Sequence, residues 1–126
     1  MNPTVLSIDD ERDVLDLITY HLTRAGCTVL TATNGREAID TIRHNRPDLV
    51  LLDLMLPDID GFGVCEILRL NPATASVPIV IVSAWSADES RHLGIELGAI
   101  DFIHKPFSPQ RLVDRVCGLL ALRRDA

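Results

Sequence analysis

Leu49-Val50-Leu51-Leu52 and Ile79-Val80-Ile81-Val82 are apolar at every position, and no other feature of the chain restricts its fold so strongly. A strand with one face in water alternates apolar and polar side chains, so a run of strand length with no polar position is expected to be covered on both faces. Residues 5–8, 28–31 and 100–103 complete a set of five strand candidates, and helix-period segments fall between them. This alternation predicts an α/β chain: a doubly wound, five-stranded parallel sheet with five helices on its faces.

Val14, Leu15, Ile18, Leu22 and Ala25 recur at helical spacing with Gly26 as the stop, and Ala38, Ile39 and Ile42 mark a second helix. A third is expected to start near Gly61, bury Phe62, Cys65 and Leu68, and end before Asn71 and Pro72. Ser86 and Glu89 form a capping box for a fourth, running to Gly98. Ser108 caps a fifth with Pro109 at its first position, and Leu112, Val113, Val116, Cys117 and Leu120 share one face.

Length and charge narrow the function classes. The 126 residues suit one domain, residues 1–126, with a core that needs no disulfide or structural metal. A net charge of -6, with Arg123 and Arg124 the only basic pair, argues against direct nucleic-acid binding. No run approaches the roughly 18 apolar residues of a membrane span, and the acidic start at Asp9-Asp10-Glu11 comes too early for an export signal. Cys27, Cys65 and Cys117 are odd in number and far apart, the pattern of reduced, packed thiols in a cytoplasmic protein.

In a doubly wound sheet, chemistry collects at the carboxyl ends of the strands. Here those ends carry Asp9, Asp10 and Glu11 after the first strand, Asp53 after the third, Ser83 after the fourth, and His104, Lys105 and Pro106 after the fifth. Two carboxylates about 5 Å apart repel by roughly 3 kcal/mol at an effective dielectric of 20, so an acid cluster there needs protons or a cation. Hard oxygen ligands without a His or Cys group favour Mg2+, which takes one or two carboxylates and keeps room for a phosphate oxygen. Lys105 adds a point charge and Ser83 a hydroxyl. These parts suffice for phosphoryl transfer if Asp53, the sole carboxylate ending the central apolar strand, is the nucleophile.

Asp9-Asp10-Glu11, the run from Leu51-Leu52-Asp53 to Asp60-Gly61, Ser83-Ala84, and the segment Gly98-Ala99-Ile100-Asp101-Phe102-Ile103-His104-Lys105-Pro106-Phe107 resemble the receiver domain of two-component response regulators, in order and spacing, over almost the whole chain. The resemblance implies a flavodoxin-like fold with strand order 2-1-3-4-5. It implies phosphorylation of Asp53 by a sensor histidine kinase or a histidine phosphotransfer protein. Mg2+ would be held by Asp10, Asp53 and the Met55 carbonyl, with Asp9 assisting through water, and Ser83 and Lys105 would hold the phosphoryl oxygens. Phe102 occupies the aromatic switch position that responds when Ser83 moves, and the Lys105–Pro106 bond is expected to be cis. The readout surface would be the fourth helix, fifth strand and fifth helix. A homodimer through that face is a further expectation, because Asp101 and Arg115 stand where the winged-helix branch forms a dimer salt bridge. Arg111 and Ile100 depart from that branch's pattern. Met55 and Trp85 stand where relatives tune water access, and both are apolar here, so slow self-dephosphorylation is expected.

Such a chain would promote its own phosphorylation and dephosphorylation without being a turnover enzyme. It would be a free-standing receiver or a piece of a longer regulator or hybrid kinase. A haloacid-dehalogenase-like phosphatase needs a second aspartate where Met55 stands, and FMN would be repelled by Asp9-Asp10-Glu11. The remaining alternative is a pseudo-receiver, an interaction module that works without phosphorylation.

Overall fold

The computed structural model of the chain describes residues 2–59, 61–84, 92, 96 and 98–125. Five strands, β1 (Thr4–Ile8), β2 (Thr28–Ala32), β3 (Leu49–Leu52), β4 (Ile79–Ser83) and β5 (Asp101–His104), form one sheet in the order β2-β1-β3-β4-β5. Every pairing is parallel. Four helices are described: α1 (Arg12–Arg24), α2 (Gly35–His44), α3 (Gly61–Leu70) and α4 (Pro109–Asp125), the last being the fifth expected from sequence. The capping box at Ser86 and Glu89, and Trp85, lie outside the described residues. None of the described helices is long and apolar enough to cross a membrane.

The apolar runs are buried as their composition requires: every residue of β3 and of β4 is inaccessible. Because side chains alternate along a strand, these strands feed two separate cores. Leu6, Ile8, Val50, Leu52 and Ile79 pack with Ala38 and Ile42 of α2 and Val64 and Leu68 of α3. Val5, Leu49, Leu51, Val80 and Val82 pack with Ile18 and Leu22 of α1 and Leu112, Val116 and Leu120 of α4. Each such Val, Leu or Ile side chain contributes roughly 1.5–3 kcal/mol by leaving water.

Two local expectations are corrected. Strand β5 begins at Asp101 and reaches His104, while Ile100 lies outside it and is 52% exposed. In α3 the buried positions are Gly61, Val64, Cys65 and Leu68, with Phe62 only half-buried, because the 3.6-residue period from Gly61 selects the third, fourth and seventh residues onward and not the next one. Gly26 stops α1 with φ +96°, a conformation that suits glycine. Gly61 is required for another reason: a Cβ there would lie 2.6 Å from Leu54 Cα and 2.9 Å from the Asp53 carbonyl, so α3 starts hard against the end of β3.

None of the three cysteines is in a disulfide; Cys27 and Cys65 are buried and Cys117 is half-buried. Burial pushes the Cys65 thiol up to about 11, and the Arg69 charge opposes this only in part.

Candidate functional site

Parallel pairing brings four strand ends to one edge, and backbone hydrogen bonds lock them there. Asp9 N–H donates to the Ala32 carbonyl at 3.0 Å, Asp53 N–H to Ile8 at 3.0 Å, and Lys105 N–H to Ser83 at 2.8 Å. The last of these joins β4 to the residue after β5, and the peptide that follows, Lys105–Pro106, is cis as the resemblance implies.

The Lys105 side chain, 11% exposed, turns back over the sheet edge. Its Nζ lies 2.6 Å from Asp9 Oδ2, 3.1 Å from Asp53 Oδ2 and 3.3 Å from Glu11 Oε1. Carboxylate oxygens of Asp9, Asp10, Glu11 and Asp53 all lie within 4.8 Å of one another. Asp9 and Asp53 are buried, whereas Asp10 and Glu11 face solvent. Two local bonds orient the buried pair: Glu11 N–H donates to Asp9 Oδ1 at 2.9 Å, and Met55 N–H to Asp53 Oδ1 at 3.1 Å.

Burial holds the Asp9 carboxyl above its ordinary range, with the Asp53 charge adding to the effect and the Lys105 and Glu11 hydrogen bonds opposing it. Burial would by itself lower the Lys105 pKa, but the hydrogen bonds and charges of Asp9 and Asp53 outweigh it and hold the ammonium well above its ordinary range. The two directions agree physically: one cation serves several anions, so its protonated form gains more than any single carboxylate does.

A cavity of about 290 Å³ opens over the cluster, lined by Asp10, Glu11, Asp53, Met55, Ala84 and Lys105. Ser83 is buried at the end of β4, in register with His104, and Phe102 is in register with Ile81. Phe102 is half-buried and lines a larger cleft of about 690 Å³ between β5 and α4, together with Phe107, Arg111 and Arg115. The residues expected to act together, Asp9, Asp10, Asp53, Met55 and Lys105, therefore do meet, with Ser83 beside them at the neighbouring strand end. Glu11 joins the lysine as a third anion. Asp58, which bonds to the start of α2, has no local sequence signal for that role.

The family model described as the response regulator receiver domain matches residues 5–117. The alkaline phosphatase synthesis transcriptional regulatory protein PhoP of Bacillus subtilis is 41% identical over 95% of this chain and 49% of its own length. The transcriptional regulatory protein GltR of Pseudomonas aeruginosa is 37% identical over 93% of this chain and 48% of its own length. The chain thus spans about half the length of these curated relatives. Among solved structures, the Francisella response regulator 1452 receiver domain superposes with a TM-score of 0.87 at 32% identity, covering 98% of this chain and 99% of that one. The chemotaxis protein CheY4 of Vibrio cholerae gives 0.86 at 28% identity, covering 92% and 97%.

Proposed function

The chain belongs to the response regulator receiver domain family, and on that premise we propose that Asp53 accepts a phosphoryl group from the phosphohistidine of a sensor histidine kinase or a histidine phosphotransfer protein. One observation carries the reading: a single ammonium, that of Lys105, is held within 3.3 Å of Asp9, Glu11 and Asp53 at the carboxyl edge of the sheet. Phosphoryl transfer depends chiefly on positioning and on neutralising charge, and this arrangement supplies both. The Asp53 carboxylate is oriented through each oxygen, Oδ1 by the Met55 amide and Oδ2 by Lys105. As one of those oxygens bonds to phosphorus, the bond from phosphorus to the donor imidazole nitrogen breaks, and the imidazole leaves with that electron pair. Lys105 then has a phosphoryl oxygen to pair with in place of the carboxylate, and the Ser83 hydroxyl donates to another.

The donor set fits Mg2+: four carboxylates with oxygens inside 4.8 Å and no His or Cys among them. Asp10, Asp53 and the Met55 carbonyl would hold it, with Asp9 assisting through water, and when bound it supplies the positive charge that the incoming phosphoryl group needs. The added dianion gives the Ser83 loop and Lys105 a new attractor, which biases β5, with Phe102, and the face it shares with α4.

Intact mass after incubation with Mg2+ and acetyl phosphate tests the reading. Gain of one phosphoryl group that disappears in chelator supports it. No gain, from this donor or from a phosphohistidine donor, leaves the pseudo-receiver.

Met55 is 57% exposed on the cavity wall, and its thioether is too weak an acceptor to orient water. Phosphorylated protein should therefore lose its phosphoryl group slowly, and Met55→Asn should shorten the lifetime several-fold. An unchanged decay rate, followed by mass, removes Met55 from that role.

Homodimerisation through the β5–α4 face is a further part of the reading. Within the chain, Arg115 Nε already pairs with Asp101 Oδ2 at 3.0 Å. A dimer that exchanged this pair across the interface would gain no new ion pair, so apolar contact in the cleft beside Phe102 and Phe107 must supply the affinity. Beryllium fluoride should raise the sedimentation mass as concentration rises; a constant monomer mass rejects the dimer.

A further inference from the structure

Asp58 lies in the connection between β3 and α3, yet its carboxylate grips the start of a different helix. Oδ1 accepts from Gly35 N–H at 2.8 Å and Oδ2 from Arg36 N–H at 3.0 Å. These are the first two amides of α2, groups with no partner inside the helix, and the helix dipole favours an anion beside them. The next amide, that of Glu37, is taken by the N-cap Asn34 through Oδ1 at 2.8 Å. The helix therefore has a neutral local cap of its own, and the anion comes from a distant loop. The Gly35 N–H, helped by the amides of Ile59 and Arg36, holds the Asp58 carboxyl below its ordinary range. The approach is close: a Cβ on Gly35 would lie 2.7 Å from Ile59 Cβ and 3.0 Å from the Ile59 carbonyl.

The end of β2, three residues before this helix starts, reaches the acid cluster from its other side, because the Ala32 carbonyl accepts from Asp9 N–H at 3.0 Å. One short piece of chain thus supports both the segment that carries Asp9 and Asp10 and the loop that carries Met55. We propose that Asp58 is a positioning residue for the cation site: it docks the Met55-bearing loop on α2 and so sets where the Met55 carbonyl stands relative to the acids that follow β1. The inference rests on the proposed Mg2+ site, and outer supports of this kind govern how well metal ligands are held.

The test is Mg2+ titration of the full chain, followed through amide NMR shifts, which report folding and affinity together. Asp58→Ala should raise the Mg2+ dissociation constant on the order of tenfold while the remaining shifts stay native. Asp58→Asn, which keeps an oxygen for one of the two amides, should weaken binding less, and it carries the test if the alanine variant does not fold. Gly35→Ala, which leaves the carboxylate intact but forces Ile59 away, should also weaken binding. Folded Asp58 and Gly35 variants that bind Mg2+ as wild type does overturn the proposal and leave the phosphoacceptor reading standing. A wild-type chain whose shifts ignore Mg2+ overturns both.

Discussion

Asp53→Asn should gain no phosphoryl group where the wild-type chain gains one, a loss of at least about a thousandfold in rate. The substitution replaces a carboxylate oxygen with a neutral amide oxygen, a far poorer nucleophile, and changes little else. The Met55 N–H still finds an acceptor, and Lys105 keeps Asp9 at 2.6 Å and Glu11 at 3.3 Å. A folded but inert variant therefore separates chemistry from collapse. Intact mass in Mg2+ and acetyl phosphate reads the result, with peptide mapping to place any residual adduct. Transfer that persists in Asp53→Asn would move the acceptor to Asp9 or Asp10 and overturn the assignment.

Lys105→Met should have the largest effect on stability. Nearly isosteric and uncharged, methionine would leave Asp9 and Asp53 facing each other with side chains only 3% and 7% exposed. Removing one partner from a buried ion pair costs about 3–5 kcal/mol, and the high exposure of Glu11 adds little to that. In chelator at pH 7 the variant should unfold at a much lower urea concentration than wild type, and Mg2+ should restore part of the difference by replacing the missing charge. An unchanged midpoint would show that the lysine does not hold the cluster. The pH dependence has a definite sign. Lys105 in the folded chain binds its proton more tightly than the ordinary 10.5, so its contribution is fully present below that pH and fades as pH rises through the folded value. The methionine variant should lack this alkaline loss.

Much of the fold and most of the rim are legible in the amino-acid sequence, for identifiable reasons. The runs at Leu49–Leu52 and Ile79–Ser83 announce doubly covered strands because no polar residue interrupts their first four positions, and polar residues directly after such runs must emerge at the sheet edge. That argument finds Asp53 and Ser83 without knowing what surrounds them. It fails at β5, where apolar Ile100 reads as strand although the ladder begins at the acidic Asp101, because edge strands are defined by pairing more than by composition. It also places Phe62 inward, since hydrophobicity alone does not say which side of a helix meets the sheet. The Asp58 bonds to Gly35 and Arg36 are out of reach for a deeper reason: they span 23 and 22 residues, and nothing local marks either end. The third anion on Lys105, Glu11, stands in view within the acidic motif, but its role depends on a side chain folding back across the edge.

All five strands run in the same direction, so every group proposed for the chemistry leaves from one rim, while the outward faces of the described helices carry none of it. Leu17 and Tyr20 on α1, for example, are 40% and 56% exposed. Changes at surface positions of that kind usually move stability by no more than about 0.5 kcal/mol. A duplicated copy of such a chain can therefore drift toward new partners on its helices and keep an unaltered reaction. Fidelity between parallel pathways is then a property of helix surfaces, open to selection one residue at a time, while the rim stays common to them all.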